Sequence, residues 1–204
     1  GKINFKDIFI FIISIVISYI FVNKFGISYL LSLPLFIFSL FLFFVTIKDF
    51  FGKNINISQK ISHFGFSLLI LSILLNGVLA KEHSSNMRVG DEIKFLDKMI
   101  QFQNIEVIKK QNYQTLIGKF NIVDEDNSLS LKPEIRIYDQ PETITSEADI
   151  SSTIFADNFL VFNIIKDDGF YNVRYQIKPF MIWIWISVLL ISLGGILSLK
   201  KKNV

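Results

Sequence analysis

The chain has 204 residues, a formal net charge of +3 and no cysteine, which excludes disulfides, thiolate zinc sites, cysteine nucleophiles and a CxxCH haem attachment of its own. It is 51% hydrophobic with 22 Phe, and the apolar residues are bunched in blocks, as in a membrane protein rather than a water-soluble globule. Residues 81–178 hold 16 of the 18 acidic residues but only 12 of the 21 basic ones, so the basic excess lies beside apolar blocks and marks no nucleic-acid patch.

The first residue is Gly rather than Met, which reads as the C-terminal part of something longer. Lys2, Lys6 and the apolar run 8–22 mimic a signal peptide. No small-residue cleavage site follows and a second apolar run begins almost at once, so we read a short membrane helix. Residues 25–47 are free of charge and long enough to span, with Pro34 removing one helical hydrogen bond inside them. A polar connection over 48–60 offers Ser58 as an N-cap. The third span, 61–80, carries one ionisable side chain, His63, in its first turn.

Beyond residue 80 the pattern changes to short segments mixing β-branched, aromatic and polar residues. Strands are expected over 92–96, 99–108, 114–123, 130–138, 159–166 and 171–177, with turns at 89–91, 124–127 and 167–169. Residues 140–153 read as a polar connection able to hold a short helix. The expected fold is therefore a small antiparallel β-barrel or sandwich inserted before the last of about four transmembrane helices. That last span covers 180–199, with Trp183 and Trp185 near its outer end and Gly194 and Ser198 forming a small-xxx-small pair. The domains are then 1–80, 81–178 and 179–204.

With four alternating helices, Lys2, Lys6, Lys48, Lys53, Lys60 and Lys200 to Lys202 share one side and Lys24 lies on the other. By the positive-inside rule the first side is cytoplasmic and residues 81–178 face outward.

His63 stands out chemically. An imidazole in a membrane helix is costly unless partnered, and haem-iron ligation, proton relay or simple access to water near the boundary would each account for it. Extending the same helix to His83 puts that residue about 30 Å along the axis, too far to share an iron, and as a solvated juxtamembrane residue. Asp124 to Asp126 and Asp167 with Asp168 read as solvated turn acids, although a divalent cation is the sharper alternative. Glu134 and Arg136 share a strand face, as a structural pair or a ligand clamp. The cluster from Arg174 to Trp185 reads as an interface anchor or as part of a surface for an amphipathic ligand.

Four groups of residues recur in an order known from one family: Ser62, His63, Phe64, Gly65, Phe66, Asn76 and Gly77; Pro133, Glu134, Arg136 and Tyr138; Thr145, Glu147, Ala148 and Ile150; and Arg174, Lys178, Pro179, Trp183, Ile184, Trp185, Gly194 and Gly195. In this order the chain resembles the C-terminal part of the CcmF family of cytochrome c-type biogenesis proteins, from about Ser58 to Leu199. The resemblance implies a multi-pass subunit of the bacterial inner membrane, with residues 81–178 in the periplasm. It implies part of a haem lyase that attaches haem to apocytochrome c, receiving haem from a CcmE-like chaperone and working with CcmH- or CcmI-like subunits. It further implies that His63 is one axial ligand of a membrane b-type haem, the other coming from an earlier helix, in the N-terminal part of the family that is missing here. The tryptophan-rich WWD segment and its flanking periplasmic histidines are not in this chain. Asp149 stands where a small residue is usual, Asn158 and Phe159 where a Leu-Tyr pair is usual, and Tyr171 near a usual Trp. The competing reading is a non-enzymatic membrane-anchored β domain, acting as a transporter accessory or envelope interaction module.

Overall fold

The computed structural model describes residues 5–52, 55–124, 127–165 and 169–201. Lys2, Lys53, Lys202, Glu125, Asp126, Asp167 and Asp168, invoked above for topology or cation binding, lie outside these residues. The chain divides into two compact units, a set of four helices and a β domain spanning Ala80–Lys178.

The helices are α1 (Phe5–Lys24), α2 (Tyr29–Phe50), α3 (Ile57–Leu79) and α4 (Met181–Lys201), each long and apolar enough to cross a bilayer. The first is a full span, five residues longer than the apolar run 8–22 alone, because Phe5, Lys6, Asp7, Asn23 and Lys24 continue its helix. Ser58 lies inside α3 and is not its cap.

Small and polar residues hold the helices together alongside buried apolar ones such as Val22, Phe36 and Leu68. Gly65 of α3 meets α4 so closely that a Cβ there would lie 2.9 Å from Leu190 Cβ and 3.0 Å from Ser187 O. Gly194 of α4 reciprocates, since a Cβ on it would lie 2.8 Å from Ser58 O and from the Ser62 amide. Such close approach maximises van der Waals contact, the main attraction left between helices in lipid. Thr46 of α2 and Ser67 of α3 share a hydroxyl hydrogen bond of 2.7 Å. The Asn76 amide donates to Pro179 O at 2.6 Å, fixing the end of α3 to the approach to α4. Between α1 and α2, Lys48 pairs with Asp7, and the Phe21 ring lies tilted against Phe36 with centroids 4.7 Å apart.

The β domain is a sandwich of two antiparallel sheets. One sheet runs β1 (Lys81–Met87), β10 (Tyr171–Pro179), β9 (Ala156–Ile164), β8 (Asp149–Ser152). The other runs β2 (Glu92–Phe95), β3 (Lys98–Lys109), β4 (Tyr113–Val123), β6 (Glu134–Asp139), β7 (Glu142–Glu147), with β5 (Ser128–Leu131) beside β4. Phe102, Phe120, Ile100, Ile122 and Ile135 from one sheet meet Leu160, Phe162, Val173, Tyr175 and Met87 from the other. Phe102 and Phe120 stack at 4.3 Å, and Phe162 approaches both rings edge-on. Gly118 leaves room for this cluster, since a Cβ there would lie 2.7 Å from the Phe120 ring.

Three further expectations are corrected. The run 130–138 is two strands, because Pro133 has no N–H to continue a ladder; its carbonyl instead accepts from Gly118 N at 3.0 Å. Residues 140–153 hold no helix. They form β7 and β8, the hairpin β6–β7 turning at the cis Gln140–Pro141 bond with Asp139 opposite Glu142. Finally, α3 stops at Leu79 and the polar stretch after it is a strand, β1, paired with β10 from Lys81 opposite Ile177 to Met87 opposite Tyr171.

Candidate functional site

His63 lies in the second turn of α3, with its side chain exposed. Gln59, Phe66, Ile73 and Gly77 are exposed too, and their spacing of three, four and seven residues puts them on one face with His63. The opposite side of α3 buries Ser58, Gly65, Leu68, Leu71 and Ser72. Packing on α2 and α4 therefore uses the small residues and leaves the imidazole on the free face. Gly77 has no atom within 4 Å of the position a Cβ would take, so that face is also open toward the end of the helix.

An apolar cavity of about 480 Å³ lies nearby, lined by Ile47, Phe50, Phe51, Ile61, Phe64 and Leu190. His63 does not line it, and its walls supply no ligand atom, so this hollow is not the site of the imidazole chemistry. Among the described residues no group of three or more His, Asp or Glu side chains converges as a metal site.

His83 is not the solvated juxtamembrane residue expected from extending the helix. It is half-buried in β1 and stacks on Phe95 at 5.3 Å, which in turn meets Tyr175 edge-on. Asp124, the described member of its acidic turn, pairs with Lys98 at 2.9 Å.

Glu134 and Arg136 form the pair their spacing predicts, Nε to Oε2 at 3.1 Å, with Glu147 at 3.9 Å from the guanidinium. The Tyr113 ring lies 5.7 Å from the guanidinium carbon, and the Glu134 and Tyr138 hydrogen bonds hold the Arg136 pKa above its ordinary value. This is a cross-strand network that ties β4, β6 and β7 together, its partners all within the sheet. Arg174 sits 3.9 Å from Glu82, and the Lys178 ammonium lies 4.6 Å over the Phe159 ring. Trp183 and Trp185 fall in the first turns of α4, the latter exposed.

Three residues read above as departures from the resemblance, Asp149, Asn158 and Tyr171, make structural contacts here. Asp149 accepts from Lys132 N at 2.7 Å and from Ile150 N at 2.9 Å. Asn158 accepts from the buried Tyr175 hydroxyl at 2.6 Å, and burial pushes the Tyr175 pKa up to about 12. Tyr171 packs against Phe102 and Phe162. Sequence reasoning missed the role of Gly65 and Asn76 as helix-packing residues. The signal for Gly65 was present in the spacing of Ser58, Ser62, Gly65 and Ser72, a stripe of small residues along one side of α3.

The family described as "CcmF C-terminal beta-sandwich" matches residues 78–179, half of the chain. The chain is 24% identical over 146 residues to "Cytochrome c-type biogenesis protein CcmF" of Pseudomonas aeruginosa, covering 71% of this chain and 22% of that protein. It is 29% identical over 149 residues to "Cytochrome c-type biogenesis protein ccl1" of Rhodobacter capsulatus, with the same coverage of 71% and 22%. It is 25% identical over 139 residues to CcmF of Escherichia coli, covering 68% and 22%. It thus spans about a fifth of the length of these relatives. A solved structure, "Cytochrome c Heme Lyase CcmF", superposes with a TM-score of 0.69 at 13% identity, over 96% of this chain and 34% of that one. With four helices of spanning length and this sandwich, the chain is a multi-pass membrane protein that belongs to the CcmF family.

Proposed function

We propose that the chain acts in cytochrome c biogenesis as the part of a haem lyase that carries the periplasmic β-sandwich, with His63 as one axial ligand of a membrane b-type haem. Family membership supports the biogenesis role over a transporter accessory. The observation that carries the ligand assignment is the free face of α3. An imidazole exposed from an apolar helix, away from the sides that pack on α2 and α4, would otherwise meet lipid, a cost that a metal bond removes.

The donor set fits one side of a haem. His63 offers an imidazole nitrogen, Phe66 and Ile73 offer apolar contact to a macrocycle, and Gly77 leaves space farther along the face. When bound, the haem would supply one-electron chemistry for reducing the iron of incoming haem. His63 would hold one coordination position and Phe66 and Ile73 would exclude water around it, while the second ligand would come from outside the chain. The β-sandwich then faces the periplasm as the scaffold on which apocytochrome c, the CcmE-like chaperone and CcmH- or CcmI-like subunits assemble. Lys48 in the last turn of α2 and Lys60 in the first turn of α3, with Lys24 at the opposite end of α1, fit that orientation by the positive-inside rule.

The test is the absorption spectrum of the purified membrane assembly. His63→Ala is expected to abolish the low-spin b-type bands, and His63→Gly with added imidazole to restore them. Unchanged low-spin bands in His63→Ala would reject the assignment.

A further inference from the structure

The turn joining β8 to β9 is unusual for a loop in water. Its tip is Thr153-Ile154-Phe155, with Ile154 61% and Phe155 72% exposed, and Ile150 at 52% follows on β8. Turns ordinarily present polar residues, Gly or Pro. This turn is also firmly built. Thr153 N and Oγ1 both donate to Ala156 O, at 2.9 and 2.8 Å, and Thr153 Oγ1 accepts from Phe155 N at 3.3 Å and from Ala156 N at 3.0 Å. The two apolar side chains are held outward by the turn itself and are not left over from a loose loop.

Chain connectivity says at which end of the sheet they lie. The chain passes from α3 into β1 through Ala80 alone and from β10 into α4 through Phe180 alone. Both crossings lie at one end of the first sheet, because Lys81 is opposite Ile177. Neighbouring strands β9 and β10 are closed at the other end by Ile165 N to Phe170 O, with Tyr175 and Asn158 bonded farther along. So β9 starts at the end where β10 finishes, and the 153–155 tip shares that end with the two membrane crossings. Lys81 and Lys178 lie there as well.

We infer that the β8–β9 turn is a membrane-surface anchor, with Ile154 and Phe155 seated at the boundary between phospholipid headgroups and acyl chains. Apolar and aromatic side chains there gain by burial, while Lys81 and Lys178 suit the phosphate layer. The anchor would fix the sandwich against the bilayer at a third point beside its two covalent crossings. This inference does not depend on haem.

The absence of cysteine makes the test clean. The whole chain is reconstituted in phosphatidylcholine–phosphatidylglycerol vesicles with a nitroxide at Phe155→Cys or, separately, Ile154→Cys. Val89→Cys is the control, equally an exposed apolar residue but beyond Met87, at the far end of β1. Relative to the control, both tip labels are expected to collide more with dissolved oxygen and less with an aqueous nickel chelate. Water-like collision rates at both tip positions would overturn the anchor. Protection from oxygen and nickel alike would overturn it as well, because it would mean that protein, not lipid, covers the tip. Both substituted residues are exposed, and a circular dichroism spectrum matching the unlabelled chain checks that the sandwich is folded.

Discussion

The two units of this chain are built on opposite solvents. Among the described residues, eight of the nine buried polar side chains lie in the helices, including Ser14, Ser18, Ser39, Ser67 and Ser187, and only Thr115 lies in the sandwich. Phe9, Ile12, Val16, Phe38 and Leu193 point outward from the same helices. In the sandwich four rings, Phe102, Phe120, Phe162 and Tyr175, are fully buried, against Phe36 alone among the described residues of the helices. A water-bounded unit gains most by hiding rings, whereas a lipid-bounded one gains nothing from that and relies on close backbone approach and hydroxyl bonds. The sequence of Gly and Ser in a helix therefore means something different from the same residues in a strand.

That contrast is broken most forcefully inside the sandwich. Phe120→Ala removes one face of the Phe102 stack and is expected to cost about 3–5 kcal/mol, read as a lower midpoint for unfolding of the β domain while the helices remain in the membrane. A rise in pH attacks the same core through Tyr175. Its folded pKa of about 12 exceeds the ordinary value of 10, so the stability it contributes is intact below about pH 10 and is lost as pH rises toward 12. The loss is at most about 3 kcal/mol by linkage, and Tyr175→Phe should flatten that part of the stability–pH curve.

In the helical unit the counterpart change is an enlargement rather than a truncation. Gly65→Leu has no room against Leu190 and Ser187 and is expected to cost about 1–3 kcal/mol of packing, measured as weaker crosslinking between cysteines placed on α3 and α4. The smallest effect is expected for Ser67→Ala. It removes the 2.7 Å bond to Thr46, worth about 0.6 kcal/mol by analogy with other interhelical bonds in membranes; thermal unfolding in detergent should barely shift.

The same contrast explains what could be read in advance. All four helices were legible from unbroken apolar length, since lipid demands a continuous apolar surface. Strands β3, β4, β9 and β10 were legible because they feed rings and branched residues into the core. Edge strand β2 was legible as well, at 92–96, but the edge strands β1, β7 and β8 were not. In β1 only Met87 is buried, and β7 and β8 have no fully buried residue, so neither shows a two-residue apolar period. His83 was misplaced for the same reason, as its strand was hidden by polar composition. The Glu134–Arg136 pair was legible from strand spacing alone. His63 was legible as an oddity in an apolar helix, but its position on the free face depends on which side of α3 the small residues choose to bury, and that choice required the packing of Gly65 against α4.

Placing two solvents on one chain is most directly tested by labelling Val89→Cys, on the sandwich, with a membrane-impermeant maleimide in cells whose outer membrane has been permeabilised. The account predicts full labelling with the inner membrane intact. Labelling only after the inner membrane is lysed would put residues 81–178 in the cytosol and contradict it.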